Sequence, residues 1–363
     1  MLKRGITQLF LFASFFWLYP LSCTSGVGKD YICMEYIEDS DNFSSKIDSI
    51  VLIPLSSDIL SLLGDEAEMH VLDNDFILAD PKNKKIIRFD SNGNYLNSIG
   101  MAGRAFNEYY SIQNIQCSGD SISVFSFPDK RIVYNKNGAF ISSECYLPIG
   151  EQSYMLGDCL YTYNGYRRDT PYRMVAIKEG RIVQTYLKSV KYVMHLSRTE
   201  PIFIPNSKSF YLLDSYYPII YTLENEQLKE YLHFDFGHYR IQEGFFDFDD
   251  PMKGAESLVS SDFAYIWRYF ENMERKLVVI IVQSINDVKY VCGISGGKES
   301  WEWYQLPFSE TFRYLKDNCL YCLWDYNQLQ AISPKMRSRI VNENKSEQIG
   351  ENSNYVVAKI YLH

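Results

Sequence analysis

Between residues 76 and 145 the chain alternates short apolar runs with turn residues, in an order that occurs twice. Phe76-Ile77-Leu78-Ala79-Asp80 reads as an apolar strand, and Pro81-Lys82-Asn83-Lys84 breaks it. Ile86-Ile87-Arg88-Phe89-Asp90 reads as the next strand and Asn92-Gly93 as a hairpin turn. Tyr95-Leu96-Asn97-Ser98-Ile99 then alternates apolar with polar positions. The same grammar returns with Ile122-Ser123-Val124-Phe125, Pro128-Asp129-Lys130, Arg131-Ile132-Val133-Tyr134, Asn137-Gly138 and a strand over 139–145. Strong helical periodicity is absent from the rest of the body, apart from short helices expected in insertions.

A four-strand unit repeating every ~40–50 residues is the pattern of a β-propeller. Blade 1 takes strands near 69–72, 76–80, 86–90 and 95–99, and blade 2 takes 112–116, 121–125, 131–134 and 139–145. Blade 3 has strands over 159–163, 172–178 and 181–187. Blade 4 has 202–204, 209–214, 219–223 and 228–234, and blade 5 has 265–271, 276–283, 288–295 and 301–307. Blade 6 has 312–315, 319–325 and 355–362, one strand short. The unused strand 47–55 supplies the fourth, which closes the ring and removes free sheet edges. The expected fold is all-β, a six-bladed propeller over 47–363 closed by its N-terminal strand. A barrel or doubly wound fold would need helices between the strands.

Composition agrees with a globular β protein: 46% hydrophobic, 22% charged, and rich in rings, with Tyr 30, Phe 22 and Trp 5. The net charge of −9 argues against nucleic acid or an anionic membrane surface as partner.

The stretch from Ile77 to Asp80 and from Lys85 through Asn92-Gly93 to Tyr95 resembles an NHL-type blade. With the leading Ile53-Pro54-Leu55 strand, the chain resembles the six-bladed β-propeller lipoproteins of Bacteroides-like bacteria. That family often has a Gly-x-x-Gly-x-Gly-Pro-Gly-Glu-Tyr segment after its first blade. Here Gly100, Gly103, Glu108 and Tyr109 match it, while Ala105, Phe106 and Asn107 depart from it. The resemblance implies a fold and an address, and little chemistry.

The N-terminus carries the address. Lys3 and Arg4 precede an apolar run from Leu9 to Tyr19, shorter than the ~20 residues that span a bilayer. Residues 1–22 therefore read as a signal peptide. Leu21-Ser22-Cys23 resembles the end of a lipobox, so Cys23 is the expected lipidation site, followed by a tether and N-terminal segment to residue 46. The expected location is the cell envelope, as an outer-membrane lipoprotein, periplasmic or surface-exposed, touching membrane through its lipid anchor only. The seven other cysteines have no metal or framework spacing and read as structural, Cys319-Leu320-Tyr321-Cys322 included.

The long connections, 100–111, 164–171, 188–201, 237–264 and 326–354, fall on one face of such a propeller, where binding usually resides. Candidate ligand-binding residues on it are Tyr166, Arg167, Arg168, Tyr172, Arg173, Arg104 and Tyr109, mixing rings with guanidinium forks suited to anionic groups. The alternative at each is a solvated loop or packing. The acidic-aromatic segment Glu243–Pro251 lacks an EF-hand pattern and reads as a cap over the channel. Trp301 and Trp303 share a strand face and read as buried between blades. The charged segment Lys335–Glu351 reads as a solvated insertion. The five histidines show no metal spacing, no nucleophile elbow occurs, and no metal, cofactor or catalytic residue is implied. The leading function is a non-catalytic ligand-binding or protein-interaction module whose partner is a glycan, peptide or envelope protein. The alternative is an envelope hydrolase or lyase acting on glycan or peptide at the channel mouth.

Overall fold

Six small antiparallel sheets form a six-bladed β-propeller. The computed structural model describes residues 31–34, 42–58, 61–64, 67–146, 150–165, 170–188, 201–214, 216–241, 245, 253, 256–257, 260–284, 287–296, 300–306 and 312–363. Blade 1 comprises Glu68–Leu72, Asp75–Asp80, Lys85–Phe89 and Tyr95–Ser98. Blade 2 comprises Asn114–Ser118, Ser121–Ser126, Lys130–Asn135 and Phe140–Cys145. In blade 3, Gln152–Leu156 precedes Cys159–Tyr163, Tyr172–Lys178 and Arg181–Lys188. That first strand escaped the sequence reading because Glu151-Gln152-Ser153 opens it with polar residues. Blade 4 comprises Phe203–Pro205, Phe210–Leu213, Ile219–Glu224 and Gln227–Asp235; blade 5 comprises Phe263–Glu271, Lys276–Ser284, Asp287–Ser295 and Trp301–Gln305.

Blade 6 closes the ring as the strand count requires. Phe312–Lys316, Cys319–Trp324 and Val356–Leu362 come from the C-terminus, and Ile47–Pro54 pairs antiparallel with the last of them. Ile47, Ile50 and Leu52 are buried by that pairing.

The repeated turn has a packing cause. In both copies a side chain caps the loop: Asp90 accepts from the backbone of Asn92 and Asn94, and Asn135 from Asn137 and Ala139. Gly93 and Gly138 follow at φ 87° and 84°, a left-handed conformation that glycine adopts freely. Each also lies against the outermost strand of the preceding blade. A Cβ there would come within 2.2 Å of the Pro54 carbonyl oxygen or 2.4 Å of that of Ser98.

The apolar core is divided rather than central, with a cluster in each cleft between neighbouring blades. Ile77 meets Ile122, Phe125 meets Leu160, Tyr161 meets Phe210, Phe234 meets Trp303, Leu277 shares a cluster with Trp324, and Leu323 closes back on Phe76. Trp301 and Trp303 lie in the cleft between blades 4 and 5, stacked 6.0 Å apart and edge-on to Phe234. Among the described residues none of the seven cysteines is joined in a disulfide.

Two outer edges are covered. Part of the segment expected as tether docks on the propeller. Ile32–Cys33 adds a parallel fifth strand to blade 4, and Phe43 packs on Tyr304 and Phe312 of blades 5 and 6. The insertion over 326–354 carries two short helices, α1 (Tyr326–Ala331) and α2 (Pro334–Arg337). A reciprocal capping box between Asp325 and Gln328 starts α1.

The reading of Lys335–Glu351 as a solvated insertion is corrected here. Met336, Ile340 and Ile349 are buried, and the segment runs along the closing strand. The Ile50 N–H donates to the Arg339 carbonyl and the Ile50 carbonyl accepts from the Val341 N–H, and the Asn342 amide pairs both ways with the Leu52 backbone at 2.9 Å. A strand edge that would otherwise invite pairing with another chain is thereby satisfied. Its charges face outward or sit half-buried while Met336, Ile340 and Ile349 face in, so composition concealed the packing.

Candidate functional site

The innermost strands of all six blades surround a cavity of about 890 Å³. Its wall between blades 2 and 3 is stitched by side-chain amides. Asn114 donates to the Ser153 carbonyl at 2.8 Å and accepts from its N–H at 3.0 Å, and Gln116 does the same with Met155 at 2.8 Å each way. These amides replace the ladder that two inner strands cannot form, so their hydrogen-bonding capacity is spent on the wall.

Charge enters the cavity at irregularities in the strands. Arg268 follows a register shift at Trp267 in blade 5, and Arg313 is the residue skipped by the pairing of Phe312 and Tyr314 in blade 6. Bulges re-aim side chains in this way. Arg268 Nη2 donates to Glu68 Oε1 of blade 1 at 3.0 Å, across the ring. Burial pushes the Glu68 carboxyl upward, but Arg268 and Arg313 together hold it below its ordinary value, so it is ionised. Burial dominates at His70 and lowers the imidazole below 6.5, leaving it neutral near pH 7. At the other end Glu271 accepts from the hydroxyls of Tyr231 and Tyr269.

The long-loop face bears a ring-and-cation patch where Phe127 lines the cavity. Phe127 is 55% exposed and Tyr110 is 47% exposed. Ser111 and Ser126 tie the two together: the Phe127 N–H donates to Ser111 Oγ, and the N–H groups of Tyr110 and Ser111 to Ser126 Oγ. Lys84 Nζ lies 4.7 Å and the Arg104 guanidinium 5.3 Å from the centre of the Tyr110 ring.

The residues expected from sequence divide into groups. Arg104 belongs to this patch. Tyr109 does not: it is 2% exposed, donates to the Ile99 carbonyl at 3.3 Å, and packs edge-on to Tyr134 between blades 1 and 2. Arg173 is 5% exposed and pairs with Asp214 of blade 4 at 2.7 Å; its guanidinium also lies over the Tyr217 ring. Tyr163 donates to the other Asp214 oxygen at 2.7 Å. Arg173 and Tyr109 thus hold blades together, because each side chain points into a cleft rather than off its loop. Tyr172 is half-buried beside Phe125 and Leu160. Tyr166, Arg167, Arg168 and Cys23 lie outside the described residues, as does Glu243–Pro251 apart from Phe245.

The model for a domain of unknown function, DUF4934, matches residues 34–361. The chain belongs to the DUF4934 family. No curated protein matches it by sequence. This DUF4934 chain is similar in fold to the crystal structure of a Bacteroides fragilis protein named "Putative exported protein". The two share 14% identity over 92% of this chain and 100% of that one, with a TM-score of 0.72. A lower likeness, TM-score 0.36 at 10% identity, covers 81% of this chain and 82% of BamB from Moraxella catarrhalis.

The DUF4934 fold brings to the cavity residues that the sequence reading missed, Glu68, His70, Gln113, Arg268, Arg313 and Phe127, with Tyr110 tied beside Phe127 through Ser111 and Ser126. One signal for Arg268 existed, a charge within the aromatic strand Phe263–Glu271. A lone charge in an apolar run marks a demand for a partner without naming it. Among the described residues no three His, Cys, Asp or Glu side chains are grouped as metal ligands.

Proposed function

We propose that this chain is a lipid-anchored protein of the cell envelope, built from NHL-type blades, that binds a ligand or partner through its long-loop face without chemistry of its own. The exposed pair Tyr110 and Phe127, with Lys84 and Arg104 at the Tyr110 ring, is the observation that carries this reading. Exposed rings on a rigid scaffold supply contact area at low entropic cost, and flanking cations favour an anionic group. The rings and guanidinium groups of Tyr166, Arg167, Arg168 and Tyr172 are further candidates, from the sequence alone, for the same recognition. The partner is a glycan, a peptide or an envelope protein. Support for the address comes from the short apolar run before Cys23 and from the fold shared with a protein whose name describes it as exported.

The competing reading, a hydrolase or lyase, draws on Glu68 and His70 in the cavity. It is the weaker one, since Glu68 is tied to Arg268 and held ionised, the opposite of what a general acid requires.

Two experiments test the proposal. A palmitate analogue fed to expressing cells labels the wild-type chain and spares Cys23→Ala; equal labelling refutes the anchor. On arrays of glycans and peptides, the purified chain binds acidic members, and Tyr110→Ala/Phe127→Ala weakens that binding by about tenfold or more, the loss of ~1.4 kcal/mol or more. Absent binding, or binding unchanged in the double variant, removes the rim from consideration.

A further inference from the structure

Ile32–Cys33 covers only the end of the edge it sits on. The outermost strand of blade 4 is nine residues long, Gln227–Asp235, and the added strand pairs with Phe234 and Asp235 alone. None of the other seven residues, Gln227–His233, is buried, and among the described residues no strand lies on their outer side. An open edge of that length is a template for a further strand. Blade 6 shows how this chain treats such an edge: the run from Arg339 to Asn342 lies along Ile47–Pro54 and bonds its backbone at Ile50 and Leu52.

Direction and length say which segment fits. The pairing is parallel, so the chain enters Ile32–Cys33 from the Gln227 end and runs toward Asp235 and the long connection 237–264. The residues before Tyr31 therefore come from the side of the Asn225-Glu226 turn, on the face opposite the long loops. Tyr31 already follows that course: its ring meets His233 edge-on at 4.5 Å, one position back in the same register. From Gln227 to His233 is about 20 Å of strand. Carried back at the register of Ile32 and Phe234, Ser25 falls opposite Gln227 and Cys23 opposite Asn225, and the bulge at Tyr231 alters this by one residue at most. Even-numbered N–H groups face blade 4, as that of Met34 does in donating to the Asp235 carbonyl at 3.0 Å. Residues 24–30 contain no proline to break such a ladder, and with Ile32 docked the closure entropy of adding them is small.

We propose that residues 24–30 continue Ile32–Cys33 as a parallel fifth strand along blade 4, which brings Cys23 to the short-turn face and so sets how the propeller stands on a membrane. The second part rests on the lipid anchor at Cys23. A bilayer holding that residue lies against the short turns, and the long-loop face, with Tyr110 and Phe127, points away from the membrane. The tether is then a strut, and it fixes which face is presented to a partner.

Hydrogen–deuterium exchange of the purified mature chain tests the strand. Alternate amides within 25–30, and those of 227–233, exchange slowly. Deletion of 24–30, or Gly26→Pro/Gly28→Pro at full length, speeds exchange in 227–233 severalfold and leaves 210–213 unchanged. Exchange of 24–30 at unstructured rates, or no effect of either variant on 227–233, overturns the strand. Energy transfer to a dye-labelled lipid tests the orientation, with acylated protein in vesicles and a fluorescent amino acid in place of Glu226 or of Lys82, beside the rim patch. Transfer is stronger from 226 than from 82, and equal or reversed efficiencies overturn the orientation. Cys23→Ala removes transfer from both positions and leaves the protection of 227–233 in place. Protection in the wild type without transfer from either position refutes the lipid anchor alone, and transfer without protection refutes the strand.

Discussion

A chain lacking Ile47–Pro54 does not reach the folded state: its far-ultraviolet and tryptophan signals show no cooperative thermal transition, and it sediments as aggregate. The strand buries Ile47, Ile50 and Leu52, and forms the whole outer ladder of blade 6. At ~1.5–3 kcal/mol for each buried apolar side chain, those three alone remove much of the ~5–15 kcal/mol by which folded proteins are stable. Deletion also bares the edge of Val356–Leu362 and strips Asn342, Arg339 and Val341 of their backbone partners on Leu52 and Ile50. Deleting residues 24–30 alone leaves the transition in place, since described contacts with the propeller begin at Tyr31, whose ring meets His233, and continue with Ile32–Cys33. A normal transition in the chain without 47–54 contradicts the closure.

Arg173→Ala lowers stability by about 3–5 kcal/mol, the usual cost of leaving one member of a buried ion pair alone. Asp214 is fully buried and receives both the guanidinium at 2.7 Å and the Tyr163 hydroxyl at 2.7 Å. Removing Arg173 takes the guanidinium away from a buried carboxylate in the cleft between blades 3 and 4. Arg173→Met/Asp214→Leu fills the same space without charge and recovers most of the loss. Urea denaturation followed by tryptophan fluorescence measures both. A single variant within ~1 kcal/mol of wild type, the range of an exposed pair, shows that the pair is not the clamp described. The same experiment separates a structural Arg173 from a ligand-binding one, because only a structural residue shifts the denaturation midpoint without ligand.

What sequence made legible, and what it did not, follows from the range of each interaction. The hairpins of blades 1 and 2 were readable because Asp90 to Asn94 and Asn135 to Ala139 cap themselves within five positions. The missing strand in blade 6 was readable because a ring cannot leave an edge open. The strand Gln152–Leu156 was not, since it opens on the polar residues Gln152 and Ser153, although it pairs locally with Cys159–Tyr163. The insertion over 326–354 was misread for the same kind of reason. Its polar composition is real, but Met336 and Ile340 find their partners on a strand nearly three hundred residues away.

By itself the sequence determined an all-β repeat protein of six blades closed by the N-terminal strand, because strand periodicity and turn chemistry are local and recur. Only the tertiary structure decided the sites. Arg173 and Tyr109 look like surface donors and rings on a loop, and become clamps once the neighbouring blade supplies Asp214 or Tyr134. Glu68 and Arg268 are two hundred positions apart and meet only because the ring brings blade 1 against the channel side of blade 5. An isolated charge in an apolar strand announces that something must neutralise it, and closure of the ring determines which residues stand within reach.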